Sequence, residues 1–484
     1  MSITQKVANF IGAQHSLPSH LQEASAAIVL DSIGCALAAV KTEPGQVVQR
    51  FVEAEGTGRE IVLGTGQKAG STTAAYANAR LINLIDQDET YMILGHHANA
   101  ALGAVLALAD RCNLDGATAL RAFAVGFEVG ARVGNFMGAP LKVDPTGKVA
   151  GWNFPGPVIG TFASCAAASA CLALNPSQIE NALGICAQYL PVNGGEFWEA
   201  GRRRAKLPSV KYEDCGLNAQ AGLMAALMAS AGVTGTLGTF EPDNHVWEMA
   251  RPGSQPNPSA LTDRLGVDWR LTRTSFKPWP SCRWFHYVQT ALQLVLDEHS
   301  IDPSTIEAIE LYSSSASCFF SDPEIGPDII MDASFSLPHC AAMMVHRVPP
   351  GPAWFDPELV RREDIAALRR KVKVSLEPSV AEPSSWGNAS AWGEPDAPLS
   401  VPSRAVVRCR DRVYEARSDF AIGDPWLKDR PFTSADVKKK FLSLAGSLAP
   451  ESAKWEERIH DVARRVLSLQ QEPRLIELLK VMSP

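Results

Sequence analysis

The sequence predicts a mainly α protein: a large all-helical domain with a smaller α+β domain beside it. Three observations predict it. Long Ala-rich stretches with little charge fill the first half of the chain, β-type alternation begins only near Asp263, and a helical pattern resumes at Thr433 and runs to the C-terminus. The expected division is residues 1–265 helical, 266–429 α+β, and 430–484 returning to the first domain. With 484 residues the chain is too long for one compact core. Hydrophobic residues at 46% can fill a large interior, while charged residues at only 20% imply that a partner subunit covers part of the surface.

In chain order, Ser19 is expected to cap a helix after Pro18, and Ile28–Val40 is apolar on most faces. Further helices are expected at roughly Thr72–Asp86, Asn99–Arg111, Asp115–Gly134, Pro157–Ala173, Pro176–Gln188 and Gly216–Ala231, with Asn175-Pro176-Ser177 and Gly232 as breaks. Strands are expected at Trp269–Phe276, Ile306–Ser313, Val372–Leu376 and Ala405–Arg410, with a helix over Phe285–His299 and a hairpin turn at Arg410-Asp411-Arg412. Glu377–Pro402, rich in Pro, Ser, Gly and Trp, is expected to be a long surface loop. Thr433-Ser434-Ala435-Asp436 forms a capping box for the returning helices.

Composition excludes several functions. The net charge is −7 and no long basic run occurs, which argues against nucleic acid. The ten cysteines form no Cys-x-x-Cys pair and mostly sit in apolar stretches, as reduced thiols of a cytoplasmic protein do. Met1–Gln14 lacks a basic region followed by an apolar core, so no signal peptide is expected. The uncharged runs Val158–Leu174 and Gly216–Gly238 are rich in small residues and read as buried helices, not lipid-facing spans. Gly64 to Gly70 resembles a dinucleotide fingerprint, but the third glycine is one residue late and the sequence after it stays helical, so an ordinary glycine turn is expected. Asp86, Asp88 and Glu89 could hold magnesium or calcium, but their spacing is not that of a calcium loop, and a helix end exposing acids is the plainer reading.

Five segments, in order, carry a resemblance. Ala74-Ala75-Tyr76-Ala77-Asn78 leads to Asp86-Gln87-Asp88-Glu89-Thr90, with His96 and His97 six and seven residues later. Lys211, Gly216, Ala219 and Gly222 follow a K-x4-G-x2-A-x2-G spacing. Lys277-Pro278-Trp279-Pro280-Ser281-Cys282-Arg283 with His286 fits K-x-x-P-x-C-R-x-x-H. Ala333-Ser334-Phe335-Ser336-Leu337-Pro338 and the weaker match Gly423-Asp424-Pro425 before Lys438–Phe441 complete the series. Together they resemble the MmgE/PrpD family, which includes 2-methylcitrate dehydratase, cis-aconitate decarboxylase and iminodisuccinate epimerase. The resemblance implies a helical domain built from both chain ends, a smaller lid domain, a homodimer, a small polycarboxylate substrate, and no metal or organic cofactor. It assigns Asp86, Thr90, His96, Lys211 and Lys277 to active-site positions of the decarboxylase branch. Two positions depart from that branch. A catalytic histidine in a G-F-H segment is replaced in Gly151-Trp152-Asn153, and a lid tyrosine falls near Cys318.

The chemistry of these residues is consistent with that implication. Removing a proton beside a carboxylate builds negative charge on its oxygens, which fixed cations must face. Lys211 and Lys277 are candidate cations. His96, His97 and His286 are the candidate proton shuttles. The family position falls on His96 or, for a different loop length, on His97, and Asp86 would orient that histidine or ionise beside a lysine. Arg283 could grip a carboxylate through two bonds or form a structural salt bridge. His97, His286, Thr90 and Asn153 are candidate substrate contacts, and the His96-His97 pair could instead mark a helix N-terminus. Arg202-Arg203-Arg204 reads as an exposed basic loop. Asn153 can donate a hydrogen bond but cannot exchange a proton near neutral pH. Three functions follow: a lyase (hydro-lyase or decarboxylase) acting on a di- or tricarboxylate, an epimerase or isomerase of an amino- or imino-dicarboxylate, or a carboxylate-binding protein without activity.

Overall fold

The computed structural model describes residues 1–91, 95–138, 141–143, 149–152, 156–190, 209–210, 214–250, 256–326, 329–380 and 398–483. The chain is mainly helical. The first half carries α1 (Ile3–Gly12), α2 (Ser19–Ala39), α3 (Glu43–Glu55), α4 (Ser71–Asn83), α5 (Ala98–Leu106), α6 (Gly116–Met137), α7 (Gly156–Cys171) and α8 (Pro176–Ala187), followed by the helix Cys215–Ser230. Small residues explain how these helices stack in layers. On the Cys215–Ser230 helix, Gly216 lies against Tyr76 of α4, and Gly222 lies so close to α7 that a Cβ would collide with the Thr161 carbonyl. Between them, Ala219 is fully buried, and its carbonyl accepts a bond from Ser164 at 2.6 Å. The glycine–alanine spacing noted in the sequence is thus a helix-packing face.

Helix α2 is buried along nearly its whole length. It is the one described helix long and apolar enough to cross a membrane, but 83% of its apolar window is covered by protein. Helices Ser434–Gly446 and Ala453–Leu467 pack on α2, which brings the C-terminal segment onto the first helices of the chain. Thr433 caps the first of these through a capping box with Asp436. Helix α2, in contrast, starts at Ser19 with Pro18 in the cap position and no side-chain cap bond, so Ser19 is not the cap expected.

The larger sheet has the order β10-β9-β7-β8, from β7 (Ile306–Ser313), β8 (Val372–Leu376), β9 (Ser403–Cys409) and β10 (Val413–Ser418). β7 and β8 run parallel, and the other neighbours are antiparallel. The hairpin joining β9 to β10 turns at Arg410-Asp411-Arg412, as expected, and the helix His286–Glu298 packs on both strands and on β7. Part of the expected long loop, residues 381–397, lies outside the described residues. The Gly64–Gly70 segment is a turn between β1 (Glu60–Ile61) and β2 (Lys68–Ala69). Asn78 pins it, accepting from the Leu63 amide at 2.9 Å and donating to the Ile61 carbonyl at 3.0 Å.

One expected strand is different. Over Trp269–Phe276 only Thr274–Ser275 is a strand, β6, after a 3-10 turn at Arg270–Arg273. It does not join the larger sheet but pairs antiparallel with β3 (Thr90–Tyr91) of the helical half. The alternation seen in the sequence reflected burial on both sides of a tight turn. This small pairing positions the candidate site.

The close approach at Gly222 gives a direct test. Gly222→Leu must force α7 and the Cys215–Ser230 helix apart, an overpacking cost of about 1–3 kcal/mol. Thermal denaturation should show a lower midpoint, and an unchanged midpoint would remove the packing argument.

Candidate active site

The site is assembled by two segments 191 residues apart in sequence, the 84–89 loop and the stretch that opens with Lys277. Helix α4 stops at Asn83, earlier than the expected Asp86, and Asp86 adopts a left-handed backbone with φ 53°. That conformation is costly for a residue with a Cβ and is held only where its surroundings demand it. β3 then pairs Thr90 with Ser275, two residues before Lys277. Gln87 adds a clasp, donating from its side chain to the Pro278 carbonyl at 2.8 Å. Gly423 completes the frame: its carbonyl accepts from the Phe276 amide at 3.0 Å, and a Cβ there would collide with the Phe276 carbonyl.

Within this frame the fully buried Lys277 donates to Asp86 Oδ1 at 3.0 Å. His96 stands between two carboxylates, with Nε2 3.5 Å from Asp86 Oδ1 and Nδ1 3.2 Å from Asp88 Oδ2. Asp88 is anchored in turn by the amides of Asn83, at 3.0 and 3.2 Å, and of Asn99, at 3.1 Å. The result is a continuous line Asp88–His96–Asp86–Lys277 through which a proton can be held or moved. The expectation of a helix end exposing acids fails here: Asp86, Asp88 and Glu89 are 1%, 0% and 0% exposed. One ligand atom each from Asp86, Asp88 and His96 lies within 4.8 Å of the others, a spacing a cation could use. The Lys277 ammonium already faces that carboxylate group.

Glu89 has a different task. Its Oε1 accepts from the His97 and Ala98 amides at 3.0 and 2.6 Å, closing the N-terminus of α5. Burial raises its carboxyl well above the usual range, and the neighbouring Asp88 adds to that. His97 is the cap residue of α5, and its ring packs with Tyr91 and Phe127, each centroid 5.4 Å away. Burial depresses its pKa to about 3. The His-His pair therefore splits: His96 joins the carboxylates, whereas His97 packs in an aromatic core with neither ring nitrogen hydrogen-bonded among the described residues.

Two other expected substrate contacts are also absorbed by the fold. Arg283 is paired with Asp424 and lies 5.1 Å from the Tyr287 ring centroid, so of its two readings the structure favours the salt bridge. Asp424 also accepts from Ser275 Oγ at 2.6 Å and from the Ala421 amide at 2.8 Å, which explains the Gly423-Asp424-Pro425 segment. His286 Nε2 lies 3.2 Å from Ser281 Oγ, and its ring packs on Trp279. Burial holds its pKa well below normal, helped by Arg283 and Lys277. Thr90 is buried in β3, and its hydroxyl has no hydrogen-bond partner among the described residues. Ser334 of the fourth motif accepts from the Cys282 amide at 2.9 Å, docking that motif onto the third. Lys211, Asn153 and Arg202–Arg204 lie outside the described residues. Lys440, which the sequence offered only within the weaker Lys438–Phe441 match and without a role, reaches the Gln87 carbonyl with its Nζ at 2.5 Å. A lysine in a Lys-Lys-Lys run looks solvated, and only its place on the buried side of a helix marks it.

Comparison with known proteins finds two family models. Residues 3–259 match the MmgE/PrpD N-terminal domain and residues 279–465 the MmgE/PrpD C-terminal domain. The chain is similar to the cis-aconitate decarboxylase of Aspergillus terreus (strain NIH 2624 / FGSC A1156), at 29% identity over 97% of this chain and 93% of that protein. Similarity to the cis-aconitate decarboxylase of Homo sapiens is 23% identity over 100% of this chain and 95% of that one. With the cis-aconitate decarboxylase-like protein oryM of Aspergillus oryzae (strain ATCC 42149 / RIB 40), identity is 28% over 57% of this chain, and the match spans 58% of that protein.

The buried His97 predicts a specific pH dependence. In the folded protein its ring stays neutral down to about pH 3, whereas the unfolded chain protonates it near the ordinary 6.5. The stability it contributes is full above 6.5 and is lost as pH falls from there toward 3. His97→Phe removes that proton uptake. Between about pH 5.5 and pH 4, the parent should lose about 1.4 kcal/mol per pH unit more than the variant. Equal slopes in denaturant titrations would show that the ring is not held neutral.

Proposed function

This chain belongs to the MmgE/PrpD family, and from that premise we propose that it is a lyase acting on a small di- or tricarboxylate, removing water or carbon dioxide beside a carboxylate. The observation that carries the reading is the buried line Asp88–His96–Asp86–Lys277. In a dehydration, a proton leaves carbon, the C–O bond breaks, and the departing hydroxide takes up a proton to become water. In a decarboxylation, the C–C bond to carbon dioxide breaks, and the electron pair left on carbon takes up a proton. Both routes pass through a carbanion whose charge spreads onto an adjacent carboxylate. Lys277 supplies a fixed ammonium for that charge. His96 is the group able to accept and return the proton, and the two carboxylates at its ring nitrogens orient it. The names of the decarboxylases to which the chain is similar support the decarboxylase form and a tricarboxylate.

We also propose that the protein works as a homodimer. Leu217 and Met224, exposed on the Cys215–Ser230 helix, continue through Tyr76 to Val47 and Phe51 on α3. A monomer rarely leaves such a contiguous apolar strip in water.

Lys277→Met keeps the aliphatic stem and removes the charge. It should lower kcat by about 100- to 1,000-fold on any substrate found in a polycarboxylate panel. Full turnover in the folded variant would remove the assignment. Solvent deuterium entering recovered substrate with no loss of water or carbon dioxide would replace the lyase with an epimerase. For the dimer, sedimentation of the parent should give twice the chain mass and Leu217→Glu with Met224→Glu the single mass; a monomeric parent would end that proposal.

A further inference from the structure

Beyond the four groups of the reacting line lies another buried ion pair that none of the proposed steps uses. Lys440 sits on the helix Ser434–Gly446, from the C-terminal end of the chain, and Asp31 sits in the middle of α2. Their charged atoms are 2.6 Å apart, with the side chains 7% and 0% exposed. The same ammonium donates to the backbone carbonyl of Gln87 at 2.5 Å. Gln87 lies between Asp86 and Asp88, so Lys440 grips the peptide that separates the two carboxylates flanking His96. The opposite side of Gln87 is held by its side-chain bond to Pro278, next to Lys277. Asp86 keeps a left-handed backbone one residue before this grip.

A fold-stabilising role explains this poorly by itself. A buried ion pair contributes little net stability over a well-packed apolar pair, because both charges lose their water. What the pair does achieve is a fixed point: the lysine is pinned by Asp31 and spends one proton on a single carbonyl of the 84–89 loop. Its charge also acts on Asp88, so the loop carboxylates feel this cation as well as Lys277.

We propose that Lys440 is a positioning residue for the active centre, acting through the Gln87 carbonyl to hold Asp86 and Asp88 in register with His96 and Lys277. The proposal rests on the reading of Asp86, His96 and Lys277 as the reaction centre. Asp31 is its anchor. The segment that returns from the C-terminus then has a functional as well as a structural part.

The test compares Lys440→Met with the double variant Asp31→Asn/Lys440→Met in the full-length protein, using thermal midpoint and steady-state kinetics on a substrate that the parent turns over and Lys277→Met does not. Lys440→Met alone leaves Asp31 buried without its cation, so it should lower the midpoint as well as the rate. The double variant removes both charges and should recover most of the midpoint. Its kcat should stay down by about 100-fold, the scale of a misplaced catalytic group, while KM changes little. Recovery of kcat together with the midpoint would make Lys440 a structural residue and overturn the proposal. Collapse of the fold in both variants would overturn it too, by assigning the pair to stability. If Lys277→Met turns over every substrate that the parent does, the reaction centre on which the proposal stands is removed instead, a separate outcome read from a separate variant.

Discussion

The pairing of Lys277 with Asp86 is the contact on which the rest of the site depends. Both groups are buried, and a buried charge is costly unless it is paired. Once that ion pair exists, the chain must bring together a loop after an early helix and a strand from far downstream. It must also keep them there to within a few tenths of an ångström. The short β3–β6 pairing, the Gln87 side-chain clasp on Pro278 and the close seat of Gly423 on Phe276 all serve that one requirement. Each is weak alone, but all three act on residues within three positions of Asp86 or Lys277, or on the strands that lead to them.

The helical body makes the requirement affordable through its small residues. Helices that approach as closely as α7 and the Cys215–Ser230 helix do at Gly222 leave almost no room for water between layers. A dry, closely packed surround strengthens every electrostatic contact within it and penalises every group left unpaired. The same packing holds His97 neutral between Tyr91 and Phe127 and raises the Glu89 carboxyl. Packing and site chemistry are in this sense one property, seen first in the Ala- and Gly-rich helices.

Much of this was legible in the sequence, and the parts that were not share a cause. The helical first half, the hairpin at Arg410–Arg412, the Thr433 capping box and the motifs around Asp86 and Lys277 follow from local pattern. Local pattern does not report which way a side chain points. Arg283 and His286 belong to the most specific motif, yet one is clasped by Asp424 and the other by Ser281. His96 and His97 are neighbours in sequence and opposite in role because the chain enters α5 between them. Trp269–Phe276 alternates like a strand because both faces of its turn are buried. Lys440, inside the Lys438–Phe441 match, had no role assigned because Val437 and Phe441, not its lysine neighbours, define the face of its helix that packs inward.

A comparison of two buried carboxylates separates holding the fold from doing chemistry. Asp424 accepts from a guanidinium, a serine hydroxyl and a backbone amide, all of them fixed, and its loop closes around those bonds. Nothing about it invites a proton to move. Asp86 stands on a strained backbone and shares one oxygen between an ammonium at 3.0 Å and an imidazole at 3.5 Å. The imidazole has a second carboxylate at its other nitrogen. Backbone strain kept at a residue that joins an ammonium to an imidazole is seldom retained for stability, because a relaxed helix end would be cheaper. It is the expected arrangement where an incoming anion must compete for the ammonium and a proton must be free to leave the ring.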